Sequence, residues 1–199
     1  MLKLINISHR YEKGLENSWI LENINYEFGK KKYVLIGQSG IGKTTLLNIA
    51  GSIIKPTVGE IESNFNLGFI FQSLNLLSDF SLRENIELPG KINSQETKYS
   101  ELAKLTNIEN ILDKFPNEVS GGQKQRAAIT RALASGANFI IADEPTANLD
   151  KANAKLIIDL FALIHERLGI GCLISTHDTT WLDIADEKLE IQNRQLKKR

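Results

Sequence analysis

The sequence predicts an α/β fold in which helices cover both faces of a mostly parallel β-sheet. Four short apolar runs, KKYVLIG, LGFIF, NFIIA and CLIST, have the length and near-continuous hydrophobicity of strands that are buried on both faces. Stretches with helical patterns, KTTLLNIAG and KANAKLIIDLFALIHERLG, lie between these runs. Because buried strands that alternate with helices favour parallel strands joined by crossovers, the predicted class is α/β.

Each of the four predicted strands ends in polar groups of a chemically useful kind. The run KKYVLIG leads into a glycine loop, LGFIF into Gln72, NFIIA into Asp143 and Glu144, and CLIST into His177. Ligands of open α/β sheets bind beyond the carboxyl ends of the strands. The four motifs are therefore expected to converge on one site.

Two helices are expected to cover the sheet. The first begins at the glycine loop and ends at Gly51, and the second ends at Gly169, because glycine is favoured just past a helix C-terminus. The second helix carries apolar residues at i, i+4 spacing, which we expect to face the sheet. These residues are Leu156, Leu160, Ile164 and Leu168.

The remaining segments complete a single domain of residues 1–199. From Leu74 to Pro116 short helical stretches mix with proline and glycine, and no buried-strand run is present. We expect residues 74–126 to form a helical subdomain inserted into a core of residues 1–73 and 127–199. The segments LKLINISHRY and ENINYEFGKKKYVLIG at the front, and EKLEIQNRQLKK at the back, are typical of antiparallel strands.

Composition argues against direct contact with nucleic acid or membrane. The 199 residues include 24 basic and 24 acidic ones, so the formal net charge is zero and no strong field holds a polyanion. No apolar run approaches the roughly 18 residues of a spanning helix, and MLKLINISHR lacks the apolar centre of a signal peptide. Any membrane attachment is therefore expected to run through a protein. The single cysteine, Cys172, is expected to be a buried thiol in a reducing cytosol.

The glycine loop GQSGIGKT, residues 37–44, predicts a nucleoside triphosphate site. It matches G-x-x-x-x-G-K-[ST] and has the strand before it and the helix after it that this motif requires. Backbone N–H groups would surround the phosphates, Lys43 would pair with the β and γ phosphates, and Thr44 would offer its hydroxyl to Mg²⁺. The expected binding residues are Gly37, Gln38, Ser39, Gly40, Ile41, Gly42, Lys43, Thr44 and Thr45.

Adjacent carboxylates supply the second part of the chemistry. Asp143 at the strand end would hold Mg²⁺, and Glu144 would orient and deprotonate the attacking water. An ordinary solvated strand end is the alternative, and the P-loop in the same chain favours the catalytic interpretation. Gln72 and His177 share the placement at strand ends and join the candidate site, whereas His9 and His165 are expected to be surface or packing residues.

The stretch SGGQKQRAAITRAL resembles a second anion cradle. Ser120 would cap a helix that begins near Gln123, and Gly121 and Gly122 would let an anion approach its N-terminus. A capped helix alone would explain Ser120 and one glycine but not VSGGQKQR as a whole. One nucleotide needs one cradle, so the second is expected to bind something else.

The chain resembles the ABC-type ATPases over nearly its whole length. The motifs follow in the order of that family: Tyr11 for stacking on adenine, GQSGIGKT, a glutamine loop at Gln72, VSGGQ in place of LSGGQ, FIIADEP, NLD at residues 148–150, and a switch histidine at His177. The stretches FQSLNLLSDFSLRENIELP and ADEPTANLD are similar to the subgroup of lipoprotein-releasing, macrolide-exporting and cell-division ATPases. The resemblance implies a P-loop NTPase fold with a RecA-like core and an ABC α-helical subdomain.

The resemblance also implies partners and roles. In this family the signature of one copy closes on the γ phosphate held by the P-loop of another, so Ser120, Gly121, Gly122 and Gln123 would contact the nucleotide of a second copy. Asp150 would report the state of one site to the other, Gln72 would link the metal and the attacking water to the helical subdomain, and His177 would hold the γ phosphate. The implied protein is an ATP-hydrolysing, ATP-dependent homodimer, cytoplasmic and bound to the inner face of the membrane through a transmembrane permease.

Two alternatives belong to other classes. A monomeric P-loop kinase would have a similar loop but no use for VSGGQ, and it usually needs an arginine-rich lid, whereas the arginines here are scattered. An ABC ATPase that drives a membrane partner without transport, as in cell division, stays open. Peptide, bacteriocin, lipoprotein or drug export would fit the subgroup, and the membrane chain would choose the substrate.

Overall fold

The structure, a computed structural model, describes residues 1–11, 19–92 and 99–199. These residues form a six-stranded sheet, a three-stranded sheet and five α-helices. The strands are β1 (Leu2–His9), β2 (Leu21–Phe28), β3 (Lys32–Ile36), β4 (Val58–Ser63), β5 (Leu67–Ile70), β6 (Phe139–Asp143), β7 (Gly171–Thr176), β8 (Glu187–Gln192) and β9 (Gln195–Lys198). The helices are α1 (Lys43–Ala50), α2 (Leu82–Ile92), α3 (Tyr99–Leu105), α4 (Gly121–Ala134) and α5 (Lys151–Leu168), with short 3-10 helices at Glu109–Ile111, Pro116–Glu118 and Thr179–Asp183.

The six-stranded sheet carries the four predicted strands and confirms the α/β class. Its order is β5-β6-β7-β3-β8-β9, with the first five strands parallel and β9 antiparallel to β8. Every residue of β6 and β7 is buried, as expected for central strands covered on both faces. The carboxyl ends of β3, β5, β6 and β7 consequently lie along one edge.

The three-stranded sheet is antiparallel, in the order β2-β1-β4. Strands β1 and β2 are the predicted front pair. The KKYVLIG part of the front segment is not antiparallel, because β3 pairs in parallel with β7 and β8 in the six-stranded sheet. Strand β4 was not anticipated. Its sequence VGEIES has one partly buried residue, Ile61, and the other five are exposed. An exposed edge strand of this kind lacks the apolar alternation that sequence patterns detect.

The helix ends match the sequence predictions more closely than the helix faces do. Helix α1 ends before Gly51, and α5 ends before Gly169 at φ 64°. The predicted face of α5 was partly wrong, because Leu156 and Leu168 are 55% and 43% exposed. A row at i, i+4 spacing drifts by about 40° per step, so its ends turn away from the sheet. The buried face is formed instead by Ala154, Ile157, Ile158, Leu160, Phe161 and Ile164.

Helix α4 belongs to two cores at once. Its residue Ala127 packs with α2 and α3, whereas Ile129 and Leu133 pack with the six-stranded sheet. The helix begins at Gly121, two residues before the predicted start, because Ser120 caps it. The predicted boundary between residues 126 and 127 therefore falls inside a helix, and the division into core and inserted subdomain stays a prediction.

Cys172 is buried at 2% exposure, as predicted, and burial raises the pKa of its thiol to about 12. Among the described residues, no helix is both long and apolar enough to span a membrane.

A cluster of charged residues connects the C-terminal hairpin, formed by β8 and β9, to the rest of the fold. The Glu187 carboxylate, 14% exposed, accepts from Lys198 Nζ at 2.6 Å, Lys31 Nζ at 2.8 Å and Tyr26 Oη at 2.7 Å. Hydrogen bonds from Lys198, Lys31 and Tyr26 lower the pKa of Glu187 to about 2. The charged carboxylate therefore stabilises the fold at neutral pH.

We expect Glu187→Gln to lower the free energy of unfolding by about 1–3 kcal/mol at about pH 7. The pKa of Glu187 in the folded state lies below its ordinary value of 4.5. The stabilisation by the charged carboxylate is therefore fully present above about pH 4.5 and is lost as the pH falls towards 2. Urea unfolding at several pH values measures the difference, with Glu62→Gln on the exposed strand β4 as control. A difference that does not shrink in acid would contradict this account.

Candidate active site

The glycine loop between β3 and α1 is shaped to hold an anion. Gly40 and Gly42 have φ values of 80° and 106°, which side chains rarely adopt. Gly42 is the N-cap of α1, and no described side chain caps the first turn of that helix, so the N–H groups of that turn are free to face an anion in the loop. Lys43 Nζ donates to the carbonyl oxygens of Gly37 at 2.8 Å and Gln38 at 3.1 Å. The helix N-terminus and the ammonium both favour negative charge here.

A cavity of about 690 Å³ opens over this loop. It gathers residues from the ends of β3, β5, β6 and β7, as the sequence predicted for a common site. Its described lining comprises Tyr11, Ile20, Gln38, Ser39, Gly40, Gly42, Lys43, Thr44, Thr45, Gln72, Glu144, Ala147 and His177.

The Glu144 carboxylate lies between a lysine and a histidine in this cavity. Its Oε1 is 3.4 Å from Lys43 Nζ, and its Oε2 is 2.9 Å from His177 Nδ1. Glu144 has a φ of 48°, an uncommon backbone conformation for a residue with a side chain. Its N–H is held by the carbonyl oxygen of Ser175 at 3.0 Å and the hydroxyl of Ser175 at 3.2 Å. Neighbouring β7 thereby sets where the carboxylate points.

Oxygen donors suited to Mg²⁺ border the same region. Thr44, Gln72 and Asp143 line one adjoining depression, and the buried Asp143 carboxylate accepts from Ser175 Oγ. Among the described residues, no three acidic, histidine or cysteine side chains cluster to bind a metal alone. Mg²⁺ is commonly held by one or two carboxylates together with substrate phosphates, so this small donor set fits it.

Tyr11 stands at the mouth of the cavity with its ring 51% exposed. Its hydroxyl is 3.2 Å from Thr45 Oγ1, which fixes one end of the ring. The ring of buried His9 meets it edge-on, with centroids 4.8 Å apart. Burial lowers the pKa of His9. His9 is thus a packing residue, and so is His165, whose Nδ1 is 3.0 Å from the carbonyl oxygen of Ile170.

The signature residues lie outside this cavity. Ser120 caps α4 by accepting from the N–H of Gln123, and the Gln123 side chain accepts from the N–H of Ser120. A Cβ on Gly122 would come within 2.8 Å of Asn153 Oδ1 on α5, so any larger residue there would have to displace the Asn153 side chain. Of the four residues Ser120 to Gln123, none belongs to the described lining of the P-loop cavity, although Gly121 borders a smaller cleft with Gln72 and Glu144.

Asp150 is an exposed helix cap. It accepts from the N–H of Asn153 at 2.9 Å and from the side-chain amide of Asn153 at 2.7 Å. These bonds lower the pKa of Asp150. Like the signature residues, Asp150 is not part of the described P-loop cavity lining.

Ser175 is the main site residue that the sequence analysis missed. It pairs with Asp143 across the sheet and contacts both carboxylate-bearing residues of the site. The available signal was a hydroxyl inside the apolar run CLIST, and a buried polar side chain needs a partner.

Comparisons with known proteins agree with this geometry. A family model described as "ABC transporter" matches residues 21–147, more than half of the chain. The lipoprotein-releasing system ATP-binding protein LolD of Buchnera aphidicola subsp. Schizaphis graminum is 38% identical, covering 98% of this chain and 96% of its own. An uncharacterized ABC transporter ATP-binding protein of Bacillus subtilis is 38% identical over 90% of this chain and 79% of its own.

Solved structures show the same architecture. The ATP-binding cassette MJ0796, a dimer in a post-hydrolysis state bound to ADP and Pi, superposes with a TM-score of 0.89 at 30% identity. That match covers 100% of this chain and 98% of the cassette. A second dimeric structure of the same cassette gives a TM-score of 0.88.

Proposed function

The chain belongs to the ABC transporter family of ATP-binding proteins and is an ATPase, and we propose that it drives a separate transmembrane permease by hydrolysing ATP. The observation that carries the chemistry is the convergence of Lys43, Glu144 and His177 on one cavity above the glycine loop. Because the chain belongs to this family, the alternative function of a monomeric P-loop kinase is excluded.

The residues around the cavity have different roles in the transfer of the γ phosphoryl group to water. The loop N–H groups and Lys43 hold the β and γ phosphates, and Tyr11 stacks on the adenine. Mg²⁺, held by Thr44, Gln72 and Asp143, would neutralise charge on the phosphates. Glu144 accepts the proton of the attacking water.

His177 contributes by position rather than by proton transfer. Its Nδ1 contacts Glu144, which leaves the other ring nitrogen for the γ phosphate. The side chain is 69% exposed, so it can reach a ligand in the open cavity.

The signature residues complete the site of a second copy. Ser120 to Gln123 lie outside the P-loop cavity of their own chain, at a helix N-terminus that favours an anion and whose first residues, Ser120 and Gly121, are exposed. In a head-to-tail homodimer each triphosphate would touch both chains, so ATP binding would close the dimer and hydrolysis would release it. Asp150 lies in the loop that would connect the two sites.

The closing and opening of the dimer would be transmitted to the membrane partner. We propose that the helical subdomain, residues 74–126, meets this permease on the cytoplasmic face of the membrane. The relatedness to a lipoprotein-releasing ATPase favours export of a lipoprotein, peptide, bacteriocin or drug, with the substrate chosen by the permease. Co-purification with a multi-spanning protein encoded next to this chain would identify the partner.

His177→Ala tests the proposed site. We expect the steady-state rate of ATP hydrolysis to fall by about 10-fold or more, with ATP affinity changed little, because the lost contacts act on the γ phosphate and on Glu144. Phosphate release and calorimetric binding of ATP and ADP measure the two quantities. Equal losses of ADP and ATP binding would assign His177 to support of the fold instead.

A further inference from the structure

A buried hydrogen bond joins the segment after Glu144 to the segment after His177. The indole Nε1 of Trp181 donates to Thr146 Oγ1 across 3.1 Å, and the two residues are 0% and 7% exposed. Thr146 follows Glu144 by two positions, and Trp181 follows His177 by four. The bond therefore connects the same two segments whose side chains meet in the active site.

The two contacts between these segments differ in their surroundings. The contact between Glu144 and His177 lies at the open end of the cavity, where the 69% exposed His177 side chain is accessible to water. The bond between Trp181 and Thr146 is shielded from water, where a hydrogen bond is electrostatically stronger. The buried bond is thus the firmer link.

Trp181 also packs against helix α5. Its ring packs edge-on against Phe161 of α5, with centroids 5.3 Å apart and planes at 73°. The backbone of Glu144 is in a left-handed conformation that persists only where the surroundings enforce it. Ser175 holds the N–H of Glu144 on one side. Two residues further along the chain, the side chain of Thr146 is held by Trp181.

We propose that the Trp181 indole N–H and the Thr146 hydroxyl form a positioning pair that sets the separation of Glu144 and His177 during hydrolysis. This inference rests on the proposed function. Neither residue belongs to the described lining of the P-loop cavity, so both act through Glu144 and His177.

Matched variants separate positioning from stability. Trp181→Phe keeps an aromatic ring against Phe161 and removes the donor, Thr146→Val keeps the shape and removes the acceptor, and Thr146→Ser keeps the hydroxyl. In the double variant Trp181→Phe/Thr146→Val no buried donor or acceptor is left unpaired, so its loss of stability should be smaller than the sum of the losses in the two single variants. Thr106→Val removes a different buried hydroxyl, which bonds Thr130 away from the site, and serves as control.

We expect Trp181→Phe and Thr146→Val to lower kcat for ATP hydrolysis between about 5-fold and 100-fold, with KM for ATP held within about twofold. The double variant should lose less melting temperature than the sum of the two single losses, but its kcat should stay low, and Thr146→Ser should retain kcat. Thr106→Val should lower the melting temperature alone.

A kcat in the double variant that recovers above the kcat of both single variants would overturn the proposal and leave an ordinary structural bond. The proposal would also be overturned if the kcat of Trp181→Phe lay within about twofold of the kcat of an active unmutated chain. An unmutated chain that hydrolyses no ATP, with or without its membrane partner, would refute the proposed function itself, which distinguishes the two failures.

Discussion

Replacing Glu144 with glutamine is expected to lower ATP hydrolysis by about 10²-fold or more while ATP still binds. The amide matches the carboxylate in size but cannot accept the proton that the attacking water gives up. The carboxylate is already placed for this task, with one oxygen 3.4 Å from Lys43 Nζ and the other 2.9 Å from His177 Nδ1. The loss should therefore fall on kcat.

The measurement pairs steady-state phosphate release with ATP binding. Glu166→Gln, which removes a charge from an exposed position of α5, controls for the change in net charge. A melting temperature close to that of the unmutated chain shows that the lost turnover is chemical. Activity near the unmutated level would remove Glu144 from the catalytic role and leave it as a partner of Lys43.

The convergence of the motifs on one cavity was predictable because each signal is local and the motifs follow in order along the chain. Each polar motif directly follows a buried strand, so parallel pairing of β3, β5, β6 and β7 is enough to bring Gln72, Glu144 and His177 to one edge. Glycine and lysine at fixed spacing likewise specify the loop without knowledge of the tertiary structure.

The features that escaped prediction depend on contacts between distant segments. Ser175 acts through its register opposite Asp143, and Trp181 acts through a hydroxyl 35 positions away. The outward turn of Leu156 and Leu168 has a local cause instead, because a row at i, i+4 spacing drifts by about 40° per step around α5. Sequence spacing therefore predicted the residues that gather around the cavity better than the residues that support them.

Two inactive variants are expected to restore each other's ATP hydrolysis when mixed. Lys43→Ala removes the phosphate-binding ammonium, and Ser120→Arg fills the exposed N-terminus of α4. In a head-to-tail dimer with one variant in each chain, one composite site carries both defects and the other carries none. Random mixing makes half of the dimers mixed, so rescue reaches at most about a quarter of the unmutated activity.

A double variant supplies the matched control for this rescue. Mixing Lys43→Ala with a chain that carries both Lys43→Ala and Ser120→Arg leaves no dimer with an intact composite site. Any activity in that mixture measures background. Because Ser120 caps α4, loss of the cap costs about 1 kcal/mol, and the melting temperature of Ser120→Arg must show that the chain still folds.

Sedimentation distinguishes a missing dimer from strict coupling between its two sites. Strong coupling would suppress rescue even in a true dimer, because one damaged site would then silence its intact partner. The Glu144→Gln chain retains ATP, so it should sediment as a dimer with MgATP and as a monomer without nucleotide. Its triphosphate would bridge the P-loop of one copy and Ser120 of the other. A monomer under both conditions, at saturating nucleotide and again with the membrane partner added, would refute the shared site and leave Ser120 as the cap of α4 alone.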